Sequence, residues 1–225
     1  MRESGIVDFL IKCLDFCQER VVDLGPFKHK VDDGLAIRKA ALMCCDSVLG
    51  VMPEQMDCTA VLHKLVFPTK NAEGKSYIML KNDKDEVKFN AYQVLAKLCE
   101  CAPGITFGAL DHIAVVLTHL IVKAKLGTNN PSTSANNGKP ESASPAPGRD
   151  GSTPPPSTDT GRVYELVRAA CQVIVLINAK EASGGVTVSA AAMTTWRSDF
   201  MEKEVLSRPA IVDMLQSIQN EQSYQ

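Results

Sequence analysis

Export signals, membrane spans and any large excess of one charge are missing from this sequence, and each absence narrows what the chain does. The 24 Lys and Arg against 26 Asp and Glu leave a formal net charge of -2, so there is no general attraction to nucleic-acid phosphates or anionic membranes. The first residues set Ile6, Phe9, Leu10 and Cys13 among Asp8, Lys12 and Asp15, which is amphipathic helix and not the unbroken apolar core of a secretion signal. The longest apolar stretches, Ile113 to Val122 and Cys171 to Ile177, are too short to cross a bilayer. A soluble chain of the cytoplasm and nucleus is expected, with no nucleic-acid or membrane partner.

Catalytic signatures are missing as well. No Cys-x-x-Cys pair, Gly-x-Ser-x-Gly elbow or glycine-rich dinucleotide fingerprint occurs. Gly74-Lys75-Ser76 fails as a phosphate loop because Thr69 stands where the first glycine belongs. Asp83, Asp85 and Glu86 lack the glycine and terminal glutamate of a calcium loop and read as an acidic helix start. His112 and His119 are two helical turns apart, too far for i, i+4 chelation. The 8 cysteines sit mostly on apolar stripes, and the Asn130-Pro131-Ser132 triplet has proline in the place that forbids glycosylation. Reduced core thiols are therefore expected, with no catalytic residue, no metal site and no cofactor.

What is present is helical periodicity. Leu35, Ile37, Ala41, Leu42, Cys45, Val48 and Leu49 form one apolar stripe, ended by Gly50 and Pro53. Further helices are predicted over about 53–67, from Asp83–Asp85 to Pro103, over about 107–126, from about Arg162, and over about 192–206 and 209–220, the last with Ser207 as N-cap. Residues 70–81 read as either a strand-like loop or the start of the following helix. Three helices share a pattern of aliphatic, basic, then small residue: Ile37-Arg38 with Ala41, Val87-Lys88 with Ala91, and Val167-Arg168 with Cys171. Once the insertion near Gly127 to Gly161 is subtracted, the spacing approaches the ~40–47 residue period of helix-pair repeats. That insertion, rich in Gly, Ser and Pro, has too few large apolar residues to offset its ordering entropy. The reading is an all-α HEAT-repeat α-solenoid, with repeats over 1–127, a disordered linker over 128–160 and C-terminal helices over 161–225. An apolar edge on the first helix, about residues 4–19, is expected where a preceding repeat would stack.

The segment Val21 to Asp33 breaks the helical pattern. Val21, Val22 and Leu24 before Gly25-Pro26, and Phe27, His29 and Val31 after it, are β-prone residues on both sides of a turn pair. A hairpin over 21–31 and an ordinary inter-helix loop both accommodate this pattern, since an isolated two-stranded ribbon is marginal. As a projecting turn it would expose Phe27 as an aromatic anchor, with Lys28 and Lys30 as a basic rim.

The run GPFKHKVDDGLAIRKAA, Gly25 to Ala41, resembles the C-terminal region of the cullin-associated, neddylation-dissociated family, also described as TATA-binding-protein-interacting. The resemblance continues through DEVKFNAYQVLAKLCECAP, LDHIAVVLTHLIVKAKL, ELVRAACQVIVLI and SRPAIVDMLQSIQNE. The segment from Val66 to Asp83 is longer than the family pattern, and the Gly/Ser/Pro-rich linker replaces a shorter charged connection. The resemblance implies a long HEAT solenoid whose C-terminal part covers the adaptor-binding N-terminal end of a cullin. It further implies a projecting hairpin that competes with substrate-receptor adaptors, so regulating assembly of cullin-RING ubiquitin ligases without catalysis. By that resemblance the partner-binding residues are Leu24, Gly25, Pro26, Phe27, Lys28, His29, Lys30, Asp32 and Asp33, and a separate N-terminal HEAT-repeat portion is a further partner. Two other readings stand beside it: a general HEAT scaffold for basal transcription machinery, and a cysteine-dependent redox or metal protein. Elemental mass spectrometry of the purified chain separates the last of these. Essentially no bound zinc or iron is expected, and a stoichiometric metal would overturn the scaffold readings.

Overall fold

The computed structural model describes residues 4–23, 25, 27–70, 74–124, 158–184, 186 and 189–223. The elements are α1 (Ser4–Leu14), β1 (Glu19–Asp23), β2 (Lys28–Asp32), α2 (Leu35–Val51), α3 (Cys58–Val66), β3 (Thr69–Lys70), β4 (Ser76–Tyr77), α4 (Met79–Asn82), α5 (Asp85–Cys101), α6 (Pro103–Phe107), α7 (Leu110–Ala124), α8 (Thr158–Ala182), α9 (Ala190–Thr194) and α10 (Pro209–Ser223). A π-helical stretch, Thr195–Val205, continues α9 without a break. The helices form two layers. In one, α2, α5, α8 and α10 follow one another side by side; in the other, α3, α7 and the π-helical stretch do the same, and α1 packs on α2 and α3. This is the all-α, HEAT-like solenoid that the repeated stripe implies, because each helix pair covers its apolar face only against its neighbours.

The positional pattern has a direct structural meaning. Ala41, Ala91 and Cys171 are all buried, the small side chains that let α2, α5 and α8 approach closely. α5 lies between α2 and α8 and is buried on several sides through Val87, Tyr92, Val94, Leu95 and Leu98. Each fully buried aliphatic side chain of this kind contributes about 1.5–3 kcal/mol. The basic position is used for ion pairs. Arg38 reaches Asp83 at 2.9 Å, just ahead of α5, and Arg168 on α8 reaches Glu221 on α10 at 2.6 Å, so both bridge to the next repeat. Lys88 instead pairs with Asp85 of its own helix at 3.1 Å.

Several boundaries differ from the sequence reading. Pro53–Gln55 forms a short 3-10 turn, and α3 starts only after Asp57, whose carboxylate accepts a hydrogen bond from Ala60 N at 3.0 Å. The helix expected over 107–126 starts only at Leu110, because Phe107 ends α6 and Gly108 and Ala109 separate the two helices. Residues 70–81 resolve into both alternatives, the short β3–β4 ladder followed by α4. Ser207 does not cap α10; its hydroxyl donates to Lys203 O at 2.6 Å and closes the preceding helix. The linker expected over 128–160 runs too far, since α8 begins at Thr158, and its remainder lies outside the described residues. All 8 cysteines are free thiols; Cys45, Cys58, Cys99 and Cys171 are buried, whereas Cys17 and Cys44 are exposed. On α1, Ile6 and Phe9 are 69% and 65% exposed and form an apolar edge.

Tyr92 carries the one fully buried side-chain polar atom among the described residues that has no hydrogen-bond partner, its hydroxyl. Burial pushes its ionisation well above the ordinary tyrosine range, so the group stays neutral. An unpaired buried hydroxyl costs about 1–3 kcal/mol, and phenylalanine has the same ring without it. Tyr92→Phe is therefore expected to leave the chain as stable or to stabilise it by about 1 kcal/mol, read from the urea midpoint. A loss of stability would show that the hydroxyl has a partner, such as an ordered water.

Candidate partner-binding surface

The hairpin exists, and its strands extend further than the 21–31 expected, pairing antiparallel from Glu19↔Asp32 to Asp23↔Lys28. Gly25 adopts φ +81, a left-handed conformation that glycine takes without penalty, and its N–H donates to Asp23 Oδ1 at 3.1 Å. Phe27 beside this turn is 66% exposed, and Lys28, His29 and Lys30 are exposed after it. Leu24 and Pro26 lie outside the described residues. The basic rim is partly neutralised within the ribbon: Lys30 Nζ is 3.4 Å from Glu19, and Lys28 registers opposite Asp23.

A two-stranded ribbon is marginal alone, and this one is held at its base. Asp33 N donates to Gln18 O at 2.9 Å, and Arg20 pairs with Asp33 at 2.6 Å. The decisive contact is the Arg38 guanidinium, whose side chain is 4% exposed. Its Nε and Nη2 donate to the two oxygens of Asp83, both at 2.9 Å, as a parallel fork. Nη2 also donates to Asp32 Oδ2 at 2.6 Å, and Nη1 donates to Asp32 Oδ1 at 3.3 Å and to Phe16 O at 2.8 Å. All five N–H groups are thereby satisfied, as a buried guanidinium requires. The two carboxylates exceed the one cation in charge, and further donors offset this. Gly34 N donates to Asp32 at 3.0 Å, Lys84 N donates to Asp83 at 2.7 Å, and the Tyr77 hydroxyl donates to Asp83.

Electrostatics follow the same geometry. The hydrogen bonds from Arg38 hold the Asp32 carboxyl below its usual value. Burial opposes the charge of Arg38, but hydrogen bonds to Asp32 and Asp83 prevail and hold it protonated. Burial, and then Asp83, push the Tyr77 phenol up. Gly34 is also fixed by this cluster, since a Cβ there would lie 2.5 Å from Phe16 O and 3.0 Å from Arg38 Nη1.

Of the residues expected to bind a partner, Gly25, Phe27, Lys28, His29 and Lys30 gather at the exposed end of the ribbon. Asp32 and Asp33 lie at its base, with their carboxylates engaged by Arg38 and Arg20. Beside the ribbon is a half-open groove of about 1190 Å³ that the sequence reading did not identify; its walls come from β2 and the N-terminal ends of α2, α5 and α8. Its signal was concealed because Phe89, Val163 and Leu166 look like ordinary core positions on their helices. Only the fold shows that Phe89 and Val163 stay half-exposed along the groove.

Comparisons with known proteins find related sequences. The family model described as TATA-binding protein interacting (TIP20) matches residues 6–138, more than half of the chain. Cullin-associated NEDD8-dissociated protein 1 of Dictyostelium discoideum is 43% identical over 54 residues, covering 24% of this chain and 4% of its own length. The protein of the same name from Arabidopsis thaliana is 31% identical over 94 residues, covering 42% of this chain and 7% of its own length. Cullin-associated NEDD8-dissociated protein 2 of Mus musculus matches with the same identity and the same coverage. The chain thus corresponds to a small part of these relatives.

The Arg38 cluster predicts an acid-sensitive ribbon. Because the folded pKa of Asp32 lies below its ordinary value of 3.8, the stability it contributes is fully present above that pH. It is lost as pH falls from 3.8 through the depressed folded value. Urea midpoints measured from neutral pH downward should fall less steeply below about pH 4 for Asp32→Asn than for wild type. Parallel curves would show that the Asp32 carboxylate is not held by Arg38 in solution.

Proposed function

The chain belongs to the TATA-binding-protein-interacting family, and from that membership and the projecting hairpin we propose that it is a non-catalytic cullin-binding protein that regulates ubiquitin-ligase assembly. The exposed Phe27 at the end of an anchored ribbon is the observation that carries this reading. An aromatic side chain presented on a rigid support loses little entropy on docking, which suits it to anchor in an apolar groove of a partner. In the proposed mode the ribbon enters the adaptor-binding, N-terminal end of a cullin and competes sterically with substrate-receptor adaptors, in the cytoplasm and nucleus. The names of the matched relatives support the cullin as partner.

The exposed Ile6 and Phe9 on α1 suit the stacking of further helical repeats, so a separate N-terminal HEAT-repeat portion is part of the same proposal. Joining it would raise affinity through effective concentration. A second reading rests on the family's description: a scaffold for basal transcription machinery, with the same ribbon as the contact. Capture from cell extract distinguishes the two, and transcription factors bound in the absence of cullins would favour the second.

A competition titration tests the ribbon directly, using the chain against a substrate-receptor adaptor for a cullin N-terminal domain. Phe27→Ala is expected to cost on the order of 2 kcal/mol of binding, roughly thirtyfold in affinity. Charge reversal at Lys28 and Lys30 should act mainly on association rate and its salt dependence. Equal displacement of adaptor by wild type and Phe27→Ala would remove the hairpin tip from the mechanism.

A further inference from the structure

We propose that the free face of α2 packs against the same face of a second copy of this chain, forming a two-fold dimer through antiparallel helices. Every fully exposed residue of α2 is uncharged, and Ile37, Met43, Cys44 and Val51 are among them, with Met43 and Val51 62% and 78% exposed. The exposed positions of the next helix in the layer are polar by contrast: on α5 they are Asp85, Glu86, Gln93 and Glu100. At the other end of the layer, α10 exposes Asp213, Gln216, Asn220 and Glu221, a polar surface suited to close a stack.

The repeat pattern marks this face of α2 as one that packs on a helix. Ile37 corresponds to Val87 on α5 and Val167 on α8, and two turns later Cys44 corresponds to Val94 and Ile174. Val87, Val94, Val167 and Ile174 are fully buried, on helices that have an earlier neighbour in the layer: α2 for α5, and α5 for α8. Among the described residues α2 has no earlier neighbour in its layer, and there the same two positions are exposed. The helix-packing interface of the solenoid thus continues onto an apolar face that nothing in the chain covers.

Charge selects the occupant. Within this chain a helix joins the next repeat through ion pairs: Arg38 reaches Asp83 at 2.9 Å, and Lys39 reaches Glu86 at 2.5 Å. One repeat earlier, Asp33 stands in the place of Asp83 and is already paired with Arg20, and Ala36 stands in the place of Glu86. A preceding helix stacked in this chain's own manner would bring basic residues to a face without a free carboxylate. An identical face brings none, and an uncharged surface meets its own copy without like-charge repulsion. Antiparallel packing also sets the positive end of each helix beside the negative end of the other. Cys44 lies midway between Ile37 and Val51, so with Cys44 at the two-fold axis, Ile37 of each copy meets Val51 of the other. Ala40, Cys44 and Ser47 are small enough to let the two helices approach closely. One helix face falls short of the roughly 800 Å² per partner of a stable interface, so a dimer that dissociates in the micromolar range is expected.

Sedimentation velocity of the full chain over about 5 to 500 µM tests the assignment. Wild type is expected to pass from monomer to dimer as concentration rises. Ile37→Glu with Val51→Glu sets like charges opposite each other and should weaken association by about tenfold or more. Ile37→Lys with Val51→Glu sets opposite charges across the axis and should keep the dimer. Far-ultraviolet spectra of both double variants should match wild type, since the positions are exposed. A bismaleimide should join two copies through Cys44, with the crosslink lost in Cys44→Ser and kept in Cys17→Ser. A chain that stays monomeric, a dimer that survives the double acidic variant, or association lost equally in both double variants would overturn the proposal. Dimers lost in Phe27→Ala would overturn it in favour of contact through the ribbon. Monomers that bind an N-terminal HEAT-repeat portion, and lose that binding in the double acidic variant, would overturn it in favour of a preceding repeat.

Discussion

One guanidinium joins four parts of the chain. From α2, Arg38 reaches the Phe16 carbonyl after α1, Asp32 at the end of the ribbon, and Asp83 at the threshold of the next repeat. Lysine would not serve, because its single ammonium cannot present five N–H groups in a planar fork. Burying such a network adds little net stability compared with an apolar replacement, although removing one partner from a buried pair costs about 3–5 kcal/mol. What the network contributes is geometry: the base of the ribbon and the start of α5 are held to the same atom group. Gly34 belongs to this constraint, since the space a side chain would need is filled by the groups that bind Arg38.

The stacking of repeats follows from a simpler division of roles. Small residues at Ala41, Ala91 and Cys171 set how closely α2, α5 and α8 approach, and the neighbouring basic residues join the layers where a carboxylate is within reach. The opposite layer is joined differently. Phe67 at the end of α3 has ring contacts with His63 and with His112 of α7, at centroid distances of 4.9 and 4.0 Å. In the C-terminal part, Trp196 donates from its indole to Asn178 at 3.1 Å and packs on Phe200, which ties the π-helical stretch to α8. Of these contacts, Phe67–His112 and Trp196–Asn178 lie between elements.

The ribbon and the groove are two outcomes of the same anchoring. Because Arg38 fixes the base of β2, that strand both projects Phe27 outward and forms one wall of the groove against α5 and α8. An exposed aromatic on a fixed support thus lies beside a part-apolar cleft, and both depend on the same anchored strand.

Much of this was determined by the sequence itself. The 3.6-residue stripes, the aliphatic-basic-small pattern at three places and the GPFKHKVDDGLAIRKAA run are local or periodic features, and they were enough to identify helices, repeat architecture and family resemblance. Turn residues at Gly25 and Pro26 located the break in the pattern, but could not choose between a loop and a hairpin. The ribbon's base is held where Arg38 bonds Asp32 together with the Phe16 carbonyl and Asp83, 22 and 45 residues away in the chain. The start of α3 after Asp57 and the separation of α6 from α7 were similarly decided by capping and packing and not by propensity alone. Tertiary structure alone decided the groove, since its walls come from residues as distant as Val31 and Leu166. It also decided which charges are free, because an ion pair is a distance between side chains and the sequence lists only their order.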